Sequence, residues 1–543
     1  MFISWLSAGL RPYVALSLLC LAVYLPGLAA LPPLDRDESR FMQATKQMLE
    51  TGDYVRINFQ DASRAKKPVG IYWMQAAAVS LLADGRTAVW AYRLPSLLGA
   101  WAAVLLTFGF GQRLFGRPAA LLGAAFTAAS LLLVMEAHQA KTDAVLLACM
   151  VAAQGALARF YLRSKGGQPA GAGIALVFWV AQGIAILVKG PVVPMVSVLT
   201  IAALAISDRD AAWLHGLRPV TGLLVAAAIV APWAAAVTQA TDGAFLGDAV
   251  RSDLLPKLIG GQERHGGWPG YYLLLATAFF WPASLFLWPA LAAAWRRRGE
   301  APVRFLLAWI VPAWIVFELI PTKLPHYVLP LYPGLALLTA AAVLGGFESL
   351  KGRGAHWYYA VWTLVGVLLA GLAIASPYLM GDGFSIWSLV AAAAALWAGL
   401  VPAILAWRGN LAKAAAIAVL AALPAYAAIF HGVLPSLQRM WLAPRVAAAI
   451  AEVQPGAPVA AAGYHEPSLV FLMGTATELT DGAGAADWLV SHPKGVVVVE
   501  ERQHTAFVER AEALGIAPRG LAFIEGFNYS RGRDVVLRLY GRE

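Results

Sequence analysis

The chain has 543 residues, 60% of them hydrophobic, and a mean hydropathy of +0.65; a soluble multidomain protein does not carry that composition. Only 13% of residues are charged and 20 are Trp. Apolar runs near the roughly 20 residues that cross a bilayer recur throughout, which excludes a secreted disulfide scaffold, a disordered protein and a β-barrel. The net charge of +10 would suit nucleic acid only if the cations clustered to neutralise phosphates, and their positions argue otherwise.

In chain order, about thirteen spans are expected, near residues 13–31, 87–111, 118–135, 143–162, 172–188, 191–207, 218–238, 270–294, 303–320, 325–346, 357–378, 386–407 and 411–430. Alternate short connections hold sixteen Lys and Arg, from Arg11 to Lys413, against four acids. By the positive-inside rule they face the cytoplasm, so the basic balance mostly records orientation, and an odd number of spans leaves the C-terminal tail outside. The first span has a basic n-region of Arg11 alone and reads as a retained helix rather than a signal peptide. Cys20 and Cys149 both fall inside spans and read as core thiols, with no disulfide framework or zinc motif.

Two outer segments are not spans. Residues 32–86 are charged and then carry a short apolar stretch, Val69 to Ala83, too short to cross and expected to lie at the interface or to re-enter the protein. Residues 431–543 alternate helical and strand-like pieces: a helix at 434–453, a strand at Val459–Gly463, a helix near 482–491 and the β-branched run Val496–Val499. A helix near 501–514 and strands at 522–528 and 534–539 follow. The expected fold is a polytopic α-helical membrane protein, residues 1–430, with a small outer α/β domain, residues 431–543.

Basic residues on the outer side carry information, because orientation does not require them there. The first loop holds Arg36, Arg40, Lys46, Arg56, Arg64, Lys66 and Lys67; Lys141, Lys189 and Lys323 interrupt apolar edges; and the loop at 239–269 adds Arg251, Lys257 and Arg264. A cation at membrane depth costs on the order of 3 kcal/mol and persists when paired or when it binds an anion. A phosphorylated lipid is the natural anion at that depth, although snorkelling to headgroups accounts for any one lysine equally well. Carboxylates accompany these cations: Asp35, Asp37 and Glu38 after the first span, and Asp143 at the mouth of another. In a helix starting near Asp37, that residue shares a face with Arg40 and Phe41 while Glu38 turns aside. A carboxylate beside a guanidinium can orient or deprotonate an acceptor while the cation holds a phosphate; an acidic helix N-terminus satisfied by its dipole is the structural alternative.

The motifs Asp37-Glu38-Ser39-Arg40-Phe41, Met48 to Tyr54, Lys67-Pro68 and Tyr72-Trp73 resemble the first-loop signature of the ArnT-like lipid A aminoarabinose transferases, within the GT-C glycosyltransferases. Further echoes are Arg93 to Ser96, Lys141-Thr142-Asp143, Lys189-Gly190-Pro191 and Lys323 to Pro330, in the same order over residues 30–335. The resemblance implies a GT-C membrane domain followed by a periplasmic α/β domain in the bacterial inner membrane. It implies Asp37 and Asp143 as catalytic residues, and Arg40, Lys67, Arg251, Arg264 and Tyr327 as ligands of the lipid phosphate. Glu38, Lys66, Lys141, His265, Lys323 and His326 stand as further candidates. Lys66 stands where the family carries an acid, and Val69 where it carries a second proline.

The implied reaction moves a sugar, aminoarabinose or a relative, from a polyprenyl-phosphate donor to lipid A or another periplasmic acceptor, with inversion, in contact with membrane lipid and without nucleic acid. No obligatory metal is expected, although a divalent ion could sit beside Asp35, Asp37 and Glu38. Two other readings stand beside this one: an O-glycosyltransferase of proteins or other glycans, such as a mannosyltransferase, and a flippase or transporter of the same lipid. On the transferase reading Asp37, Arg40, Lys67, Asp143 and Tyr327 line one cavity.

Overall fold

The computed structural model describes residues 6, 8–249, 251, 267–381 and 383–542. Helix α1 (Arg11–Tyr24) leads into a turn and then α2 (Asp37–Thr51), which ends on Gly52 in the left-handed conformation that lets Gly52 N–H reach Met48 O. A two-residue hairpin, β1 (Asn58–Phe59) with β2 (Ala62–Ser63), precedes α3 (Gly70–Leu82), the apolar helix expected to be too short to cross. Helix α4 (Val89–Ala129) is broken at Gly116, whose φ of 81° and ψ of 169° suit glycine alone, so two expected spans appear as two limbs of one element. Helices α5 (Leu131–Ala137), α6 (Asp143–Ser164), α7 (Ala172–Lys189), α8 (Val192–Asp208) and α9 (Pro219–Ala240) follow.

After the loop come α10 (Tyr271–Phe279) and α11 (Leu287–Arg296), the two parts of one expected span, bent by 119°. Helices α12 (Ala301–Leu319), α13 (Tyr332–Leu344), α14 (Arg353–Met380), α15 (Ile386–Trp407) and α16 (Leu411–Ala428) complete the bundle. Among the described residues nine helices are long and apolar enough to cross a bilayer, ten if the bent pair is one span. The sequence expectation of about thirteen is higher because it counts both limbs of α4 and the shorter α1 and α8, of 14 and 17 residues.

The bundle has a centre and a rim. In their most apolar windows α6 is 78% buried and the segment Pro325–Leu344 is 83% buried, against 22% for α9 and 28% for α14. Small residues let the central helices close up: a side chain at Gly99 would strike the backbone of Ala144 and Val145, and Leu337 fills the space beside Gly111 and Gly123. The two central segments begin with Asp143 and with His326-Tyr327, so the core of the bundle delivers those residues to the end that carries residues 32–86.

The C-terminal part starts with α17 (Leu442–Val453), later than the helix expected from 434, because the chain between α16 and α17 runs through a π-helical turn, Ile429–Val433, and a 3-10 turn, Gln438–Met440. Strands β3 (Val459–Ala462), β4 (Glu478–Thr480), β5 (Val496–Glu500), β6 (Pro518–Asn528) and β7 (Arg533–Arg542) form one sheet in the order β4-β3-β5-β7-β6, parallel across β4-β3-β5 and antiparallel beyond. Helices α18 (Pro467–Met473), α19 (Gly482–Ser491) and α20 (Glu501–Ala513) complete it. Val496 and Val498 pack on the α17 side with Val446 and Ile450, while Val497 and Val499 pack with Phe507 and Leu489. A run of four valines, buried on both faces, is what a central strand between two helical layers requires.

Candidate active site

A cavity of about 280 Å³ lies at the end of the bundle that carries residues 32–86. Helix α2 supplies one wall. Asp37 is its first residue, and Arg40 and Phe41 follow on the same face at i+3 and i+4, all three lining the cavity. Glu38, one residue on, is rotated into the protein. Its side chain and that of Arg93 are both 0% exposed, and its two oxygens accept from Arg93 Nε at 2.8 Å and Nη2 at 2.9 Å. The remaining lone pairs take the Ala140 and Leu34 N–H groups, and Arg93 also donates to the Leu28, Leu31 and Pro32 carbonyls. Glu38 therefore fastens α2 to α4 and to the loop before α6.

The loop after β2 brings Arg64, Lys66 and Lys67. The Arg64 guanidinium lies 5.2 Å from the Phe41 ring centroid, and its Nε donates to Tyr72 Oη at 3.3 Å, so an aromatic floor fixes its plane. Between α5 and α6, Gln139, Lys141, Thr142 and Asp143 form another wall. Lys141 Nζ pairs with Glu136 at 3.1 Å. Lys189, at the end of α7, pairs with Asp143 at 2.5 Å and lies 5.5 Å from the Tyr327 ring centroid. Thr322, Leu324, His326 and Tyr327 close the lining.

Seven Lys and Arg side chains thus face three aspartates in this cavity. Burial raises the cost of charging Asp37, but Lys141, Arg64 and Arg40 together outweigh it and hold the carboxyl below the usual carboxylate range. Asp37 is ionised at neutral pH and is a weak base. Asp35 behaves oppositely: burial, with the nearby Glu466 carboxylate adding to it, lifts its carboxyl to about 7 against weaker opposing contributions from Ser468 and Arg36. A concave site with surplus positive charge and fixed donors suits an anion carrying more than one charge, and can stabilise charge that develops on a leaving phosphate.

Of the residues expected from sequence, Asp37, Arg40, Lys66, Lys67, Lys141, Asp143, His326 and Tyr327 are brought together. Glu38 is not among them, because it is consumed by Arg93. Lys323 is also turned away, donating to the Glu318 and Gly267 carbonyls. Arg251 is exposed and does not line the cavity, while Lys257, Arg264 and His265 lie outside the described residues. Asp35, Asp37 and Glu38 do not converge on one point, since Glu38 faces the core; among the described residues no group of three or more His, Cys, Asp or Glu is placed to hold a metal. Arg36, Arg64 and Lys189, which the sequence marks only as outer-side cations, also line the cavity. Arg93 was read only as part of an echo; its place opposite Glu38 depends on how α4 crosses α2.

Residues 66–235 match the family model described as dolichyl-phosphate-mannose-protein mannosyltransferase. An undecaprenyl phosphate-alpha-4-amino-4-deoxy-L-arabinose arabinosyl transferase 1 from Pseudomonas fluorescens is 30% identical over 350 residues, which are 62% of this chain and 60% of that protein. The chain thus matches about three fifths of the length of that relative. The crystal structure of ArnT from Cupriavidus metallidurans in the apo state superposes with a TM-score of 0.74 at 19% identity over 97% of both chains. The same protein bound to undecaprenyl phosphate gives a TM-score of 0.73 at 20% identity over 98% of both chains.

Proposed function

We propose, for a chain that resembles an aminoarabinose transferase in sequence over 62% of its length and ArnT in fold over 97%, that it is an integral-membrane glycosyltransferase. It takes a sugar, aminoarabinose or a close relative, from undecaprenyl phosphate and delivers it to lipid A at the periplasmic face of the bacterial inner membrane. The observation that carries this reading is the cavity itself, where seven cations surround three aspartates at one end of a membrane bundle.

The chemistry follows from the charges. Breaking the bond between the anomeric carbon and the phosphate oxygen leaves both electrons on the phosphate. Lys67, Arg40 and Arg64 supply positive charge to that oxygen without reorganising at the moment of reaction. The acceptor oxygen attacks the anomeric carbon from the opposite side, and the centre inverts. Asp37 holds its proton weakly, which suits orienting the sugar for an acceptor that is already ionised, such as a lipid A phosphate, better than stripping a proton from a hydroxyl. No obligatory metal enters the reaction, since the cations neutralise the leaving group.

A protein acceptor is the second reading, and the family-model match over residues 66–235 favours it. A transporter would place charge along a path between the helices, whereas these charges gather at one end. Mass spectrometry of lipid A and of envelope glycoproteins, with and without the protein, separates the two acceptors. Sugar missing from lipid A supports the first reading, and sugar missing from glycoproteins the second. Unchanged products in both pools, with the protein expressed, would sink the transferase reading.

A further inference from the structure

The C-terminal domain meets the membrane domain at the two residues that precede Asp37. Tyr529 and Ser530 lie in the turn between β6 and β7. The Asp35 N–H donates to Tyr529 Oη at 2.6 Å, and Arg36 Nη2 donates to the Ser530 carbonyl at 2.5 Å. From the first turn of α18, the Ser468 N–H donates to Asp35 Oδ1 at 3.3 Å. The buried Glu466 ties these two parts of the grip together, accepting from Asn528 Nδ2 at 2.9 Å and pairing with Arg531 at 3.5 Å.

The held segment needs holding. Arg36 has φ 64° and ψ −105°, a region that residues with a side chain rarely occupy and that persists only where the surroundings over-determine it. It also stands at the N-cap of α2, where Ser, Thr, Asp or Asn would satisfy an orphan N–H, and it makes no capping side-chain bond. The hairpin turn supplies the restraint that a local cap would otherwise give. The next residue is Asp37.

In open sheets with parallel strands the crevice at the carboxyl ends, where neighbouring connections leave in different directions, commonly receives a ligand. Here the chain beyond β3 leads to β4 on one side, and the chain beyond β5 leads to β6 on the other. The crevice between them is filled from within: Glu500 pairs with Arg533 at 2.7 Å, and Gln503 accepts from the Gly482 N–H at 2.8 Å. The connection that leaves β3 instead contacts the membrane domain at the start of α18, through Ser468 and Asp35.

We propose that the β6–β7 turn is a positioning element for sugar transfer, with the Tyr529 hydroxyl holding the Asp35–Arg36 turn so that Asp37 enters the cavity in register with the cations. Tyr529 is absent from the cavity lining and acts through the backbone of α2. Its loss affects the alignment of Asp37 more than retention of the lipid, because Lys67, Arg64 and Lys189 come from other segments. This inference rests on the transferase reading.

The test compares Tyr529→Phe with Thr475→Ala in the full-length protein, using an undecaprenyl-phosphate sugar donor and lipid A. Phenylalanine keeps the ring and removes only the hydroxyl. Thr475 accepts from Gln43 Nε2 at 2.7 Å and donates to Glu50 at 2.5 Å, so its loss weakens the same domain interface farther along α2. Tyr529→Phe is expected to lower kcat about tenfold with the donor KM within about twofold, the loss of one well-placed hydrogen bond, while Thr475→Ala stays within about twofold of wild type. Tyr529→Phe behaving as wild type, raising KM alone, or falling together with Thr475→Ala would each overturn the proposal. An inactive wild type overturns the transferase reading and this inference with it, whereas an active wild type matched by Tyr529→Phe overturns this inference alone.

Discussion

Asp37 and Glu38 are neighbours in sequence and belong to two different regions of the molecule. Asp37 faces a cavity where cations outnumber carboxylates, and Glu38 faces a dry interior where every lone pair has a named donor. A charge at membrane depth survives in either setting, since both pay for desolvation through opposite charge. The difference lies in what surplus remains. Around Glu38 it is matched by Arg93 and backbone groups, which makes a fastening; around Asp37 there is positive charge left over, which makes a binding site.

The sharpest way to break this comparison is to remove one partner of each. Glu38→Gln or Arg93→Ala leaves its partner charged and buried, and a cost of about 3–5 kcal/mol is expected, read as a large fall in Tm in detergent or as loss of folded protein. Asp37→Asn and Lys67→Ala are expected to lower kcat by about 10² or more with Tm changed by no more than a few degrees. A stable Glu38→Gln protein that has lost only activity would move Glu38 into the cavity and erase the contrast. Chelation tests the same division from the other side. With the leaving-group charge met by the cavity's Lys and Arg side chains, transfer is expected to stay within about twofold in excess EDTA, and a loss restored by one divalent ion would contradict the cation-only account of the leaving group.

The smallest effect concerns Asp35, which sits between the two regions. Ser468, Glu466, Tyr464 and Tyr529 face it from the C-terminal domain and Arg36 from its own segment. Its carboxyl is raised to about 7, from an ordinary value of 3.8. Between those values the folded protein holds a proton that the unfolded chain has released, so this group's contribution to stability is fully present at low pH and is lost as pH rises toward 7. Asp35→Asn should flatten that part of the Tm–pH curve; an unchanged slope would show that another group titrates there.

Much of this was legible in the sequence, for identifiable reasons. Helical periodicity placed Asp37, Arg40 and Phe41 on one face and turned Glu38 aside, and the structure has that phase. The valine run announced β5, and the helices at 482–491 and 501–514 appear as α19 and α20 within a residue. Strand β4, only three residues long, and the seven-residue α18 were missed, because pieces so short show no periodicity and are set by their neighbours. The same limit hid Arg93 and Tyr529. Each matters through a partner 55 or 494 residues away, a relation that spacing along the chain does not display.

Reconstituted transfer tests the central claim most directly. Purified protein is mixed with undecaprenyl-phosphate aminoarabinose and lipid A, and the lipid A is weighed by mass spectrometry. The expected result is lipid A heavier by one sugar with the wild type and unchanged with Asp37→Asn at equal folded concentration. Equal product from both proteins would contradict the account, as would no product from a folded wild type.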